Sequence, residues 1–208
     1  MEKRIKVPFV KNSLLWKGKG WCGPIALASL LRYYKNKSSV NEIAKISKSI
    51  KNSGGTIPEG LTYFCLSNGF SVDYYGKYKF FDYNKKEFSE RFNTLMKKIK
   101  AKELAKKIEK QNKQFPKYKF KLKSPTLKDI EKFIKEEKPV LLYLNIAVVE
   151  NKKNLWPHYV LVVGFDKENF YVHNIYPKNK SYQKIPKKIF KKAWKSEGMD
   201  YFLLIPHK

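Results

Sequence analysis

The amino-acid sequence predicts an α+β fold, and two observations carry that prediction. In residues 1–76 the apolar side chains recur mostly at helical spacing, whereas residues 124–208 hold short apolar runs of strand length joined by polar turns. A chain of 208 residues with 42% hydrophobic and 15% aromatic content can bury one sizeable core and is short for two, so one domain over 1–208 is expected.

In the first zone an extended VPFV segment (7–10) leads into a Gly/Lys loop, KGKGW (17–21). A helix then begins near Cys22, where Ile25, Leu27, Ala28, Leu30, Leu31 and Tyr34 form an apolar stripe. Pro24 suits its first turn, in which a missing N–H costs nothing. SSVNEIAKISKSI (38–50) reads as a second helix, with Ser39 as cap and Glu42 at capping-box spacing. A third helix is expected from about Glu59 to Asn68, stopped by Gly69, and then a strand, FSVDYY (70–75).

The middle zone, about 77–123, carries a net charge of +12 over 47 residues. Within it, residues 87–112 place Phe88, Phe92, Leu95, Ile99, Leu104 and Ile108 on one face of a helix whose other face is rich in Lys. Such a helix can pack on the domain with a solvated outer face. It can equally serve as a basic surface for an acidic partner, an anionic membrane surface or nucleic acid. In the last zone SPTLKDIEKFIKEEK (124–138) is a capped helix and PVLLYLNI (139–146) a buried strand. HYVLVVGF (158–165) and FYVHNI (170–175) are two strands joined by a polar turn, and a short helix, IPKKIFKKAW (185–194), and a final strand, YFLLIP (201–206), follow.

The net charge of +27 is almost entirely lysine; only Arg4, Arg32 and Arg91 are arginine. Base reading and bidentate phosphate gripping draw on the planar arginine fork, so this surplus reads chiefly as a solvated surface, though its field attracts polyanions and acidic substrates. Cys22 and Cys65 form no CxxC, and no Cys/His cluster has metal-ligand spacing, so neither a disulfide framework nor a metal is indicated. The N-terminus lacks an apolar signal core, and nothing approaches the roughly 18 apolar residues of a membrane span. A cytoplasmic protein is the expectation.

A cysteine nucleophile must be a thiolate, which open N–H groups at a helix start favour. Cys22 lies where such a helix begins, and Gly23 permits close approach of another backbone. That position suits a nucleophile and a small buried residue equally well. Cys65, amid LTYFCLSN, reads as core. Among the three histidines, His207 is near the C-terminus and expected to be exposed, whereas His158 opens an apolar strand and is placed to face a cleft. A base needs a partner that fixes its tautomer. With a three-residue turn (Asp166, Lys167, Glu168), Phe165 would pair with Asn169 and Asn174 with Val160. Asn174 and His158 would then be diagonal neighbours on one face, about 7–8 Å apart along the backbone, with His173 facing away. A two- or four-residue turn would put them on opposite faces.

GWCGPIALASLLRYYKN (20–36) resembles the active-site helix of the double-glycine leader peptidases, papain-like domains that trim bacteriocin precursors, and of their stand-alone relatives. KPVLLYLNI and PHYVLVVGFDKENFYVHNIYP are similar to that family's histidine strand and the strand after it, and the AW…YFLLIP ending to its closing segment. The resemblance covers roughly 7–76 and 124–206 and leaves 77–123 as a Lys-rich helical insertion. It implies a papain-like peptidase domain in which a helix bearing Cys22 packs on an antiparallel sheet bearing His158. Asn174 stands where the family usually has Asp. Asn12 stands in the slot of the oxyanion-hole Gln, with Trp16 six positions before the cysteine.

The expected activity is that of a cysteine peptidase: Cys22 attacks a peptide carbonyl, His158 acts as base and acid, Asn174 holds the imidazole, and Asn12 with the Cys22 N–H cradles the oxyanion. No cofactor is implied, and the partner is a peptide or protein substrate. Two alternatives are an inactive papain-like module that binds peptides and a basic nucleic-acid-binding protein.

Overall fold

The computed structural model describes residues 2–13, 20–49, 55–76, 101–114, 117–153, 157–196 and 202–208. Three helices come first. In α1 (Cys22–Tyr33) every residue from Gly23 to Leu31 is buried, as the nearly unbroken apolar run requires. α2 (Val40–Ile46) starts at its predicted cap, where the Ser39 hydroxyl accepts from the Glu42 N–H at 3.1 Å. α3 (Pro58–Ser67) has proline at its first position and ends before Gly69, whose φ of +80° suits glycine.

The described strands form one sheet in the order β3-β2-β8-β4-β5-β6-β7. They are β2 (Ser71–Gly76), β3 (Tyr118–Leu122), β4 (Val140–Asn145), β5 (Pro157–Phe165), β6 (Asn169–Asn174), β7 (Lys180–Pro186) and β8 (Phe202–His207), while β1 (Lys3–Arg4) pairs with the far end of β5. Every pairing is antiparallel except β2 with β3. Between the strands lie α4 (Ala101–Gln114), α5 (Leu127–Lys135), α6 (Ile146–Val149) and α7 (Lys187–Trp194). The Thr126–Asp129 capping box starts α5. No described helix is long and apolar enough to cross a membrane.

Helices cover both faces. α1 packs on the face carrying Tyr159, where a Cβ on Gly23 would come 2.9 Å from the Tyr159 ring. On the opposite face Phe133 of α5 meets Tyr75 at 5.4 Å and Phe190 of α7 meets Phe170 at 4.6 Å between ring centroids. α4 packs against α3 and buries Leu104 and Ile108, while Lys106, Lys107 and Lys110 are exposed. The expected helical stretch 87–100, with Phe88, Phe92, Leu95 and Ile99, lies outside the described residues.

The β5–β6 hairpin corrects the expected register. Phe165 pairs with Phe170 rather than with Asn169, one residue off the expected register, although the residues between the two strands are the expected Asp166, Lys167 and Glu168. The turn is built on a side chain: the Asp166 carboxylate accepts from the N–H groups of Glu168 and Asn169 at 2.8 and 2.7 Å. Taken alone, that shift would have thrown Asn174 and His158 onto opposite faces. A β-bulge between Val162 and Gly164 inserts one more residue into β5 and restores the register, pairing Leu161 with His173. One step further, Asn174 stands opposite Val160 and diagonal to His158, as expected, through two compensating irregularities.

β1, β3, β7 and α6 were not legible. β3 (YKFKL) and β7 (KSYQKIP) are lysine-interrupted strands with only Ile185 fully buried between them, and β1 and α6 are too short for periodicity. His207 is also corrected: it lies 3.3 Å from Asp73 and is largely covered, not exposed, because β8 runs on to pair His207 with Ser71.

Candidate active site

α1 begins at Cys22 with Trp21 at the cap, and no side chain caps the first turn. The Ile25 N–H is used by the Trp21 carbonyl at 3.1 Å, and Pro24 has none. That leaves the N–H groups of Cys22 and Gly23 open, and both favour the charged form of the Cys22 thiol. A third donor comes from across the interface: the backbone N–H of Tyr159, the residue after His158. Burial outweighs all three and pushes the thiol up. Gly23 makes this approach possible, since its missing side chain leaves room for the Tyr159 ring and Leu61.

His158 stands at the start of β5 and is 7% exposed. Burial pulls its imidazole down to about 4, while the Asn174 side chain favours the protonated ring. Its Nε2 is buried with no close hydrogen-bond partner, and the Tyr176 ring lies 5.7 Å away between centroids. Burial thus favours the neutral form of both the Cys22 thiol and the His158 imidazole.

Asn174 is fully buried. Its Oδ1 accepts from the Tyr176 N–H at 3.1 Å, and its Nδ2 donates to Gln183 Oε1 at 2.9 Å. Asn12 reaches the same end of the sheet by its backbone. Its N–H donates to Asn179 Oδ1 at 2.7 Å and its carbonyl accepts from Asn179 Nδ2 at 3.1 Å. The Asn12 Oδ1 is buried without a partner, and Trp16 lies outside the described residues. Cys22, His158 and Asn174 are thus gathered at one end of β5 and β6, and Asn12 is tied to the loop that follows Asn174.

His173 does face away. Its Nε2 meets the Val7 carbonyl at 2.9 Å and its Nδ1 accepts from the Tyr182 N–H at 3.3 Å, so it pins the N-terminal segment to the sheet. Cys65 is plain core. Tyr159, Tyr176, Asn179 and Gln183 went unnoticed in the sequence. Three of them act through backbone groups or grip a remote backbone, which leaves no residue-type signal. Gln183 is one more polar residue in an edge strand.

Solved structures share this architecture. A putative C39-like peptidase from Bacillus anthracis aligns over 99% of this chain and 98% of its own at 16% identity, with a TM-score of 0.53. A double-glycine motif protease from an AMS/PCAT transporter, solved with a leader peptide, aligns over 98% and 93% at 16% identity and 0.52. The peptidase domain of Streptococcus ComA, a bifunctional ABC transporter of a quorum-sensing pathway, aligns over 98% and 97% at 16% identity and 0.50. No curated protein sequence matches the chain. The fold is the papain-like α+β fold of these C39 structures. The Peptidase_C39 like family matches residues 4–200, and the chain belongs to that family.

Proposed function

We propose that this protein is a papain-type cysteine peptidase occupying one domain over 1–208, with the Lys-rich stretch at about 77–123 as an insertion. The observation that carries this reading is the meeting of Cys22, at an open helix N-terminus, with the His158–Tyr159 peptide, while Asn174 lies diagonal to His158.

The reaction begins from the neutral pair. As Cys22 Sγ attacks the peptide carbonyl carbon, His158 takes the thiol proton. The oxyanion is received by the Cys22 N–H and the Asn12 side chain, a kind of contact worth roughly 3–4 kcal/mol of barrier per donor. His158 returns the proton to the leaving amine as the C–N bond breaks, leaving a thioester. It then takes a proton from water, whose hydroxide adds to the thioester; the C–S bond breaks and the thiol is restored. A peptide or protein is the proposed substrate, in line with the leader peptide carried by one structural relative.

Wild type and Cys22→Ala are to be incubated with a peptide library and products read by mass spectrometry. Cleavage by wild type alone supports the reading, and equal product from both ends it. The second reading, a peptide-binding module without turnover, draws on the Asn12 carboxamide oxygen, which is buried without a partner. Its sign is peptide binding with no adduct on Cys22 from a thiol-reactive peptide mimic.

A further inference from the structure

The candidate base is held by an amide, and an amide has two unlike ends. A carboxylate presents an acceptor whichever way it turns; Asn174 presents an acceptor or a donor, and the choice decides which nitrogen of His158 carries the proton. The orientation of the Asn174 amide is therefore part of the chemistry.

Two contacts set that orientation. The Tyr176 backbone N–H can only donate, so the Asn174 atom 3.1 Å from it is the oxygen. The other end is then Nδ2, which donates, and its partner Gln183 must present Oε1, at 2.9 Å. The chain of assignment starts at a backbone group that cannot be reversed and ends at Gln183. Geometry brings the two side chains together. Gln183 pairs with Val172, two residues before Asn174 on the same face of β6, and the β7 bulge, with Tyr182 at φ +51°, draws Lys180 opposite Asn174. Asn174 is fully buried and Gln183 half-buried, so the Asn174 amide takes its partners from the protein.

We infer that Gln183 is a positioning residue for the candidate base. By accepting from Asn174 Nδ2 it keeps Asn174 Oδ1 toward the imidazole, so that the ring nitrogen meeting the amide carries the proton and the other keeps its lone pair. Without Gln183 the buried Nδ2–H groups lose that acceptor, and only the Tyr176 N–H still holds the amide. An amide held at one end only is free to turn and donate to the ring, and the proton then moves to the other ring nitrogen. This inference rests on the proposed roles of Cys22 and His158.

The test reads the ring directly, without any substrate. Nitrogen-15 shifts of the His158 ring, identified with His158→Ala, report its tautomer in the full chain, and iodoacetamide alkylation of Cys22 against pH reports the base. In Gln183→Leu a second tautomer is expected, with alkylation at about pH 7.5 slowed roughly tenfold. Gln183→Glu, still an acceptor, should keep the wild-type tautomer. In an Asn174→Asp background, where there is no orientation to set, adding Gln183→Leu should change the alkylation rate by less than about twofold. A wild-type tautomer and rate in Gln183→Leu would overturn the inference, as would an equal loss in the Asn174→Asp background. A chain that cleaves nothing yet shows the tautomer change would instead refute the peptidase reading and leave the positioning role standing.

Discussion

Gly23 lies flat against the ring of Tyr159: a Cβ at this position would fall 2.9 Å from Cε2 and 3.0 Å from Cδ2. Tyr159 is itself buried and the residue after His158, so this close packing sets how near the start of α1 comes to the start of β5.

Gly23→Ala is therefore expected to act as a wedge. Ala favours the helix by up to ~1 kcal/mol over Gly, but overpacking against a buried ring costs ~1–3 kcal/mol. The net loss should appear in urea unfolding. Alkylation of Cys22 should change too, because the Tyr159 N–H is displaced from the thiol.

The buried imidazole of His158 makes stability depend on pH. Its folded value, about 4, lies below the ordinary value of about 6.5, so the unfolded chain binds the proton first. The contribution is complete above the unfolded value and is lost as pH falls through the folded one, to a total of about 3 kcal/mol. His173, also lowered by burial, acts in the same direction. Urea unfolding of wild type and His158→Gln between about pH 7.5 and 4 isolates the His158 share, since the variant should lose less stability on acidification.

Asn179→Ala removes both bonds that hold the Asn12 backbone. The contact is exposed, so a cost of about 1 kcal/mol or less is expected. The local effect should be larger: amide hydrogen exchange at Asn12 should accelerate, while exchange at Val10, whose N–H is held by buried Ser29 at 2.9 Å, should not.

The two thiols should separate cleanly. Cys65 is fully buried and pushed up by burial alone, whereas Cys22 is half-buried at a helix start. Native protein treated with iodoacetamide should carry the label on Cys22 and not on Cys65, as read by peptide mass spectrometry, and denatured protein on both.

Much of this was legible in one dimension. The helix at Cys22, the Ser39 cap and the strands around His158 and Asn174 are written in local patterns: periodicity, a capping residue, apolar runs. Each depends on residues within a turn or a strand of one another. The lysine-interrupted edge strands β3 and β7 gave no such pattern, because a strand paired on one side and solvated needs little apolar content.

What the sequence determined by itself is which residues could form a site: a cysteine before a helix, a histidine opening a buried strand, an asparagine ending the next. What tertiary structure decided is that they come to one end of the sheet. The pairing next to the Asp166 turn is shifted by one residue from the expected one, and the bulge in β5 shifts it back, so Asn174 faces His158 through two irregularities of register that cancel. Neither could be weighed from spacing, since a one-residue slip is invisible in sequence and reverses every side chain in a strand.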